Sequence, residues 1–366
     1  MKIIINTTVL VIGGGIQVAK SIIEELKNNP ENQYYIFLSP FVEQELKGIS
    51  FDKNFKFYTF PISPSQILKR NEIIKRFSQL EEEICPDLVY TVFGPSYWKP
   101  KSIHICGFAD GWCYNPRTIA FSNLTFFNKI KIKLLIKYKN FYIKKTTDHL
   151  VVETNVAKEN IVKLLKYPRS KVHVIGNTCS AVYDEYQPKY IESNTRNLFT
   201  LSAYYNSKNL DIINEVSKVL IEKSKKTFHF FLTIDETIFK EKFGDNEMVF
   251  NLGPQPIEKG PKLYDTYDAL FLPTLLETFS ASYPEAMKMR KPILTSNLDF
   301  ARDVCGDAAM YFNPLDPNDI AEKIINTFNP ETKKKLIRNG QSRLLEFETS
   351  KSRKDKYLKI FNTLIK

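Results

Sequence analysis

Two kinds of hydrophobic pattern alternate along the chain. Residues 2–6 (KIIIN), 33–38 (QYYIFL), 87–93 (DLVYTVF), 102–106 (SIHIC) and 148–152 (DHLVV) are short apolar runs, rich in β-branched and aromatic residues and bounded by Pro, Gly, Asn or Asp. Such runs predict strands. Between them, apolar residues recur at helical spacing. Over 16–27, Ile16, Ala19, Ile22, Ile23 and Leu26 share one face, and Gln17, Lys20, Glu24 and Lys27 the other. A second series of strand-like runs starts near 172–175 (VHVI) and continues at 197–201, 228–233, 248–252, 269–272 and 292–295. Helical patterns at 208–223, 260–268, 284–290 and 317–328 separate its members. The last segment, 331–366, is helical by pattern and divides near Glu348–Ser350. Alternation of this kind predicts parallel sheets covered by helices on both faces. Because it comes in two blocks that change near residue 180, the expected class is α/β with two Rossmann-like domains. A length of 366 residues accommodates them.

Charge separates the two blocks. Residues 1–175 hold 25 Lys and Arg against 15 Asp and Glu, while the remainder holds 27 against 26. The basic half implies an anionic partner. Most of its surplus lies in 125–146 (TFFNKIKIKLLIKYKNFYIKKT), which has seven Lys, no acid and interleaved Phe, Ile, Leu and Tyr. As an amphipathic basic helix this segment suits an anionic membrane surface; a solvated helix face or a lysine-heavy bias are the plainer readings. Nucleic acid is not expected, because no binding module or stacking platform accompanies the charge. The five cysteines (Cys85, Cys106, Cys113, Cys179, Cys305) are scattered and lack a CxxC pair. That argues against a disulfide framework and a structural zinc, and suits a reducing cytosol. No stretch approaches 18 uninterrupted apolar residues, so no membrane-spanning helix is expected. The opening MKIIINTTVLVIGGG imitates a leader, but Asn6-Thr7-Thr8 breaks the run, and it reads as a first buried strand and its loop. The four histidines (His104, His149, His173, His229) lie mostly inside strand-like runs without ligand spacing and read as packed side chains.

The strongest local signal is PTLLETFSASYPEAM, residues 273–287. A buried strand ends at Pro273, a loop carries Glu277, and a helix is expected near Pro284 with Glu285 in its first turn. The small residues Ser280, Ala281 and Ser282 allow close approach of a ligand to the backbone, whose N–H groups can receive anionic oxygens. Two ionised carboxylates flanking such a turn only accept hydrogen bonds, which suits a ligand bearing phosphates and hydroxyls. The plain alternative is a solvated loop Glu277 and a helix-dipole Glu285. Gly13-Gly14-Gly15 before the first helix permits close approach to a phosphate, or simply a tight turn. It is not a G-x-G-x-x-G fingerprint, because position 18 is Val.

Two carboxylates with seven residues between them, Phe279 among these and EAM closing the run, resemble the signature of family 4 (group 1) retaining glycosyltransferases. Other segments follow that family's order. NLFTLSAYYNSKNLDIINEV (197–216) resembles the strand, loop and helix that carry a phosphate-binding lysine, here Lys208. KVHVIGN (171–177) resembles the interdomain crossover, and NLGPQPIEKGPKLYDTYDALFLPT (251–274) the glycine loop, short helix and strand ahead of the Glu motif. The resemblance implies a GT-B fold: two Rossmann-like domains facing an interdomain cleft, with the C-terminal helix crossing back to the first. The domains implied are 1–178 with about 350–366 on the acceptor side, and 179–349 for the donor. It further implies that Glu285 accepts hydrogen bonds from the donor ribose, that Glu277 contacts the transferred sugar, and that Lys208 neutralises the diphosphate. Gly14, Gly15, Gly253, Thr278, Phe279, Ser280 and Ala281 are the remaining donor-contacting candidates.

Two positions depart from the family pattern. Many relatives pair the lysine with an Arg five residues earlier, where this chain has Ala203. Many also carry a His-Asp pair in the first domain, where CGFADGWCYNP (106–116) offers Asp110 and no His. Asp110 is the candidate for positioning sugar or acceptor hydroxyls, against a plain turn role in A-D-G. No DxD sequence occurs, so no metal and no further cofactor is expected. The expected partners are a UDP- or GDP-linked sugar and a glycan or lipid-linked acceptor in surface polysaccharide assembly. The expected place is the cytoplasm, at the inner face of the membrane. A non-catalytic GT-B-like protein binding nucleotide or glycan is the alternative; a nicotinamide oxidoreductase fits neither the glycine spacing nor the Glu pair.

Overall fold

The computed structural model describes residues 1–11, 13–188 and 195–365. The chain divides into two compact units: Met1–Pro116 with Ile130–Gly176 and Glu348–Lys366, and Arg117–Lys129 with Asn177–Phe347.

The first unit is built on seven parallel strands: β1 (Lys2–Asn6), β2 (Gln33–Leu38), β3 (Phe55–Thr59), β4 (Leu88–Thr91), β5 (Ile103–Gly107), β6 (His149–Val152) and β7 (Val172–Val174). Their spatial order is β3-β2-β1-β4-β5-β6-β7. Strand β1 is central, Ile3 lying beside Tyr34 on one side and Leu88 on the other. Helices cover both faces, so its residues Ile3, Ile4 and Ile5 are all buried, which is why this strand reads as a continuous apolar run. The final helix, Ser350–Ile365, joins this unit. Tyr357 and Phe361 pack into the β1 and β4 core, and the Tyr90 hydroxyl donates to Tyr357 Oη at 3.0 Å. Buried Arg353 ion-pairs with the largely covered Glu25. Burial pushes the Glu25 carboxyl up, and the Arg353 guanidinium only partly offsets it.

The second unit carries six parallel strands: β8 (Asn197–Thr200), β9 (His229–Leu232), β10 (Val249–Asn251), β11 (Ala269–Leu272), β12 (Ile293–Ser296) and β13 (Ala309–Phe312). They are ordered β10-β9-β8-β11-β12-β13. Successive residues serve opposite faces: Phe199, Leu270 and Leu272 join one core with Tyr264 and Tyr283, while Leu198, Phe271 and Leu294 join the other with Phe230 and Phe312. In each sheet the order reverses beside the first strand, between β1 and β4 and between β8 and β11. Open α/β sheets hold ligands in the crevice outside the carboxyl ends of the strands at such a reversal.

Several expectations are corrected. Val172–Val174 does not open the second sheet; it pairs with β6 in the first, with Leu150 beside Val172. Residues 117–129, expected within 1–178, cluster with the second unit. There the Thr118 hydroxyl donates to the Leu275 carbonyl at 3.2 Å, and the Asn123 amide donates to Asn209 Oδ1 at 2.8 Å. Strands β3 and β13 had not been anticipated. In β3, an edge strand, Lys56 and Phe57 are exposed, so its sequence lacks a strand's usual buried signature. The helix of the Glu motif begins at Ser282, two residues before Pro284, which still lies within the first turn. The expected helix 208–223 begins at Ile212, and Lys208 instead ends a short 3-10 turn, Asn206–Lys208. The lysine-rich helix, Phe126–Thr146, has two apolar faces rather than one. Ile136 and Ile143 are buried, and Ile130, Leu134 and Phe141 are exposed.

Candidate active site

Lys208 follows β8 and Glu277 follows β11, the two strands that flank the reversal of the second sheet. Their loops are joined by the main chain, Leu275 N donating to the Ser207 carbonyl at 2.7 Å. Asn209 takes a left-handed conformation (φ 54°) directly after the turn. Its side-chain amide donates to the Pro314 carbonyl at 2.8 Å, and its Oδ1 accepts from Asn123. This fixes where the Lys208 stem leaves the backbone. The Lys208 ammonium forms an ion pair with Glu277 Oε2, both side chains being mostly covered. At a strand reversal, an ammonium beside a carboxylate can meet a ligand with phosphate oxygens on one side and hydroxyls on the other.

Glu285 lies four positions into the helix Ser282–Lys288 and is buried. The Tyr264 hydroxyl lies 3.1 Å from Glu285 Oε2 and 3.0 Å from the Ser282 carbonyl. The Tyr183 hydroxyl approaches the same carboxyl without a well-formed hydrogen bond. Burial raises the Glu285 carboxyl to about 7, outweighing the two phenols, which favour its ionised form. One phenolic proton cannot serve both of Tyr264's acceptors at once. With Glu285 protonated, the carboxyl donates to Tyr264 and Tyr264 donates to the Ser282 carbonyl, so both of Tyr264's contacts are hydrogen bonds. With Glu285 ionised, a ligand hydroxyl can supply the missing donor. Gly260 belongs to this arrangement, because a methyl there would collide with the Tyr183 hydroxyl.

The remaining candidates of this unit fall into two groups. Phe279 is committed to the core, its ring edge-on to Phe347 at 6.0 Å, and Thr278 is buried beside it. Ser280 and Ala281 are half-buried, and their carbonyls accept from Tyr283 N at 3.1 Å and Glu285 N at 3.1 Å. These main-chain bonds occupy part of the N–H set that the sequence suggested for anions. Gly253 has φ +66° with open space where a Cβ would stand, so its loop after β10 needs glycine for conformation.

The first unit's candidates lie apart from these in the chain's division. Gly14 opens the helix Gly14–Leu26 directly after the β1 loop, with open space above it, whereas Gly15 is packed: a Cβ there would meet Leu10 and Phe93. Asp110 follows β5, caps the helix Gly111–Tyr114 by accepting from Trp112 N at 3.1 Å, and receives the Lys139 ammonium at 2.6 Å. Burial acts to lower the Lys139 pKa, but the Asp110 charge more than offsets it and holds the ammonium up. Both the turn role and a charged partner are thus realised at Asp110.

Sequence reasoning had missed Tyr264, Tyr183, Asn209, Thr118 and Lys139. Tyr264 was signalled by a phenol on the apolar side of a short helix, since a buried Tyr hydroxyl needs a partner. Gly260-Pro261 likewise signalled a close contact. Nothing in the local sequence pairs Thr118 with Leu275, 157 residues away. Among the described residues, no three His, Cys, Asp or Glu side chains gather where they could hold a metal ion. No helix among them is long and apolar enough to cross a membrane.

Residues 195–329 match the family model described as Glycosyl transferases group 1. A search of curated proteins found no match. Among solved structures, the chain is similar to a sucrose-phosphate synthase from Thermosynechococcus elongatus (TM-score 0.75, 11% identity, covering 100% of this chain and 99% of that one). It is similar to a glycosyltransferase from Rickettsia africae (TM-score 0.72, 17% identity, 100% and 98% covered). It is also similar to HepE from Anabaena, crystallised with UDP-glucose (TM-score 0.72, 12% identity, 99% and 100% covered). At these identities the likeness establishes the fold: two Rossmann-like domains of the GT-B class.

Proposed function

We propose that this protein is a retaining glycosyltransferase that moves a sugar from a nucleoside-diphosphate sugar to a glycan or lipid-linked glycan acceptor in surface polysaccharide assembly. The observation that carries the reading is the Lys208–Glu277 ion pair outside the carboxyl ends of β8 and β11. Lys208 meets the diphosphate, and Glu277 accepts from hydroxyls of the transferred sugar. Glu285 accepts from the ribose, and main-chain groups of Gly253 and of residues 278–281 line the donor. In the transfer step, the bond from the anomeric carbon to the diphosphate oxygen breaks. On the same face of the sugar a bond to the acceptor oxygen forms, and the acceptor proton passes to the leaving phosphate. Negative charge grows on that phosphate, so a fixed ammonium helps most in the transition state. Within the first unit, Gly14 and Gly15 are the candidates to meet phosphate oxygens, and Asp110 the candidate to position sugar or acceptor hydroxyls.

The charge on the diphosphate is met here without a divalent ion. Ala203 leaves one cation fewer than many relatives have, and Arg117 is our candidate to supply it. Arg117 is exposed and precedes Thr118, whose hydroxyl holds the Leu275 carbonyl two residues before Glu277. HepE's complex with UDP-glucose favours UDP over GDP as the first nucleotide to try. We place the protein in the cytoplasm, peripheral to a membrane that presents the acceptor. The test is thermal shift against UDP, GDP and their sugars, since a ligand that binds only the native state raises its stability. Donor turnover by the wild type, Lys208→Ala and Glu277→Ala follows. Undiminished turnover by both folded variants refutes the site. A second reading, a non-catalytic nucleotide or glycan binder, draws on Ala203 and on the absence of His in 106–116. Donor binding without turnover on any acceptor would favour it.

A further inference from the structure

The helix Phe126–Thr146 turns Ile136 and Ile143 inward and leaves an apolar row outward. Ile130, Leu134 and Phe141, four and seven residues apart, share one helical face and are 43%, 61% and 56% exposed. Exposed Lys133, Lys137 and Lys144 border the row on one side and Lys131 and Lys145 on the other. No Asp or Glu lies between Asp110 and Asp148.

A second apolar element belongs to the same unit. Ile67 and Leu68 stand at the tip of a loop, 70% and 97% exposed. The loop is held by its own turns, Gln66 N donating to Ser63 O at 3.0 Å and Lys69 N to Gln66 O at 3.3 Å. Buried Arg70 closes it from below. Its Nε donates to the Pro64 carbonyl at 2.7 Å and its Nη2 to the Ser65 carbonyl at 3.1 Å. Its Nη1 donates to the Tyr138 and Tyr142 hydroxyls of the lysine-rich helix, while the guanidinium lies 4.3 Å from the centre of the Tyr97 ring. No carboxylate pairs with Arg70 among the described residues; carbonyls, phenols and ring faces satisfy it, and together they fasten the loop to the helix. Tyr138 and Tyr142 lie on the Lys131 and Lys145 side of the helix, so the loop is tied down beside the apolar row.

We propose that these two elements form one docking surface for an anionic lipid bilayer. Ile67 and Leu68 enter the acyl boundary with Ile130, Leu134 and Phe141, the flanking lysines meet anionic headgroups, and Arg70 is the positioning residue that sets the tip against the helix. On the helix, large exposed apolar side chains framed by lysines without an acid match the chemistry of that interface, and at the loop tip Lys69 pairs with Glu72 beside Ile67 and Leu68. A second copy of this chain is disfavoured as the occupant, because the same basic face would repel itself. The inference rests on the proposed membrane-side acceptor for its purpose, but its test needs no catalysis.

Flotation of the whole protein with vesicles tests it, using phosphatidylcholine alone and phosphatidylcholine with about a third phosphatidylglycerol. The wild type is expected to float with the anionic vesicles only. The paired exchanges Ile67→Ser with Leu68→Ser, and Leu134→Ser with Phe141→Ser, are each expected to weaken binding about tenfold or more. Arg70→Lys, which keeps the charge and loses the fork, is expected to weaken it less. Leu68→Trp emission should shift to the blue and be quenched by brominated lipid on anionic vesicles. Thermal midpoints, and donor hydrolysis without vesicles, should stay at wild-type levels in both serine pairs. Equal flotation with both vesicle types, or unchanged flotation of both serine pairs, overturns the proposal. So does equal capture by soluble polyglutamate, or a concentration-dependent dimer abolished by the same exchanges. A wild type that floats but never turns over donor supports the surface and counts against the catalytic reading alone.

Discussion

In the first unit Lys139 reaches Asp110 at 2.6 Å, and in the second Lys208 reaches Glu277. Both carboxylates follow the carboxyl end of a parallel strand, and both pairs are largely covered. The difference lies in what else each carboxylate holds. Asp110 also caps a helix by accepting from Trp112 N, so the local backbone depends on it. Glu277 lies on a loop fixed independently of its carboxylate, Leu275 N donating to Ser207 O and the Thr118 hydroxyl donating to Leu275 O. Its carboxylate can exchange Lys208 for a ligand hydroxyl without loosening the fold. An ion pair that the backbone does not need is the better candidate for chemistry.

The largest effect expected from that comparison is on turnover. Lys208→Ala and Glu277→Ala should each lower donor turnover by ~10²-fold or more, with thermal midpoints near wild type. If Asp110→Asn lowers turnover as far as Glu277→Ala does, the contrast between the pairs fails.

Next in size is a proton-linked effect at Glu285. Burial lifts its folded carboxyl to about 7 from an ordinary 4.5, so between those values the folded state keeps a proton that the unfolded state has lost. The stability tied to that proton is fully present below about pH 4 and is lost as pH rises through 7. Glu285→Gln, which can still accept from Tyr264, should therefore flatten the stability profile between those limits. Above pH 7 it should be more stable than wild type by up to about 3 kcal/mol in denaturant melts. Since ribose hydroxyls need the ionised carboxylate, wild-type nucleotide affinity should fall by about tenfold from pH 8 to pH 6. An affinity that does not change over that range would place the ribose elsewhere.

Smaller effects sharpen the contrast further. Arg117→Ala should raise the donor KM by about tenfold, the scale of one exposed charged contact to phosphate, and leave stability unchanged. Asp110→Asn keeps the cap acceptor and loses the full charge on Lys139. Its main cost should be in stability, about 1 kcal/mol in denaturant melts. A large turnover defect with unchanged stability at Asp110 would move it into the reacting centre.

Much of this architecture was legible in the sequence for one reason. Central parallel strands are buried on both faces, so β1, β2 and β11 announce themselves as uninterrupted apolar runs, and their observed bounds coincide with those runs. Edge strand β3 does not, because Lys56 and Phe57 face solvent. The Glu motif and Lys208 were legible as residue types in a family order, but the meeting of Lys208 with Glu277, 69 residues on, depends on β8 and β11 coming together. The transfer of 117–129 to the second unit was not legible, because it depends on single long-range hydrogen bonds from Thr118 and Asn123. The lysine-rich helix was recognised, yet its second apolar face was hidden, since opposed apolar faces cancel in any single-face pattern. Glu285 was expected to meet the ribose, and its protonation near neutral pH came only from the burial that tertiary packing imposes.

The central claim, that Lys208 and its partners hold a nucleoside diphosphate at the reversal of the second sheet, is met most directly by calorimetric titration. UDP, and then GDP, would be titrated into the wild type, Lys208→Ala and Asp110→Asn. The account predicts saturable binding by the wild type and by Asp110→Asn, and an affinity at least about tenfold weaker for Lys208→Ala. Absence of binding to the wild type, or an unchanged affinity in folded Lys208→Ala, would contradict it.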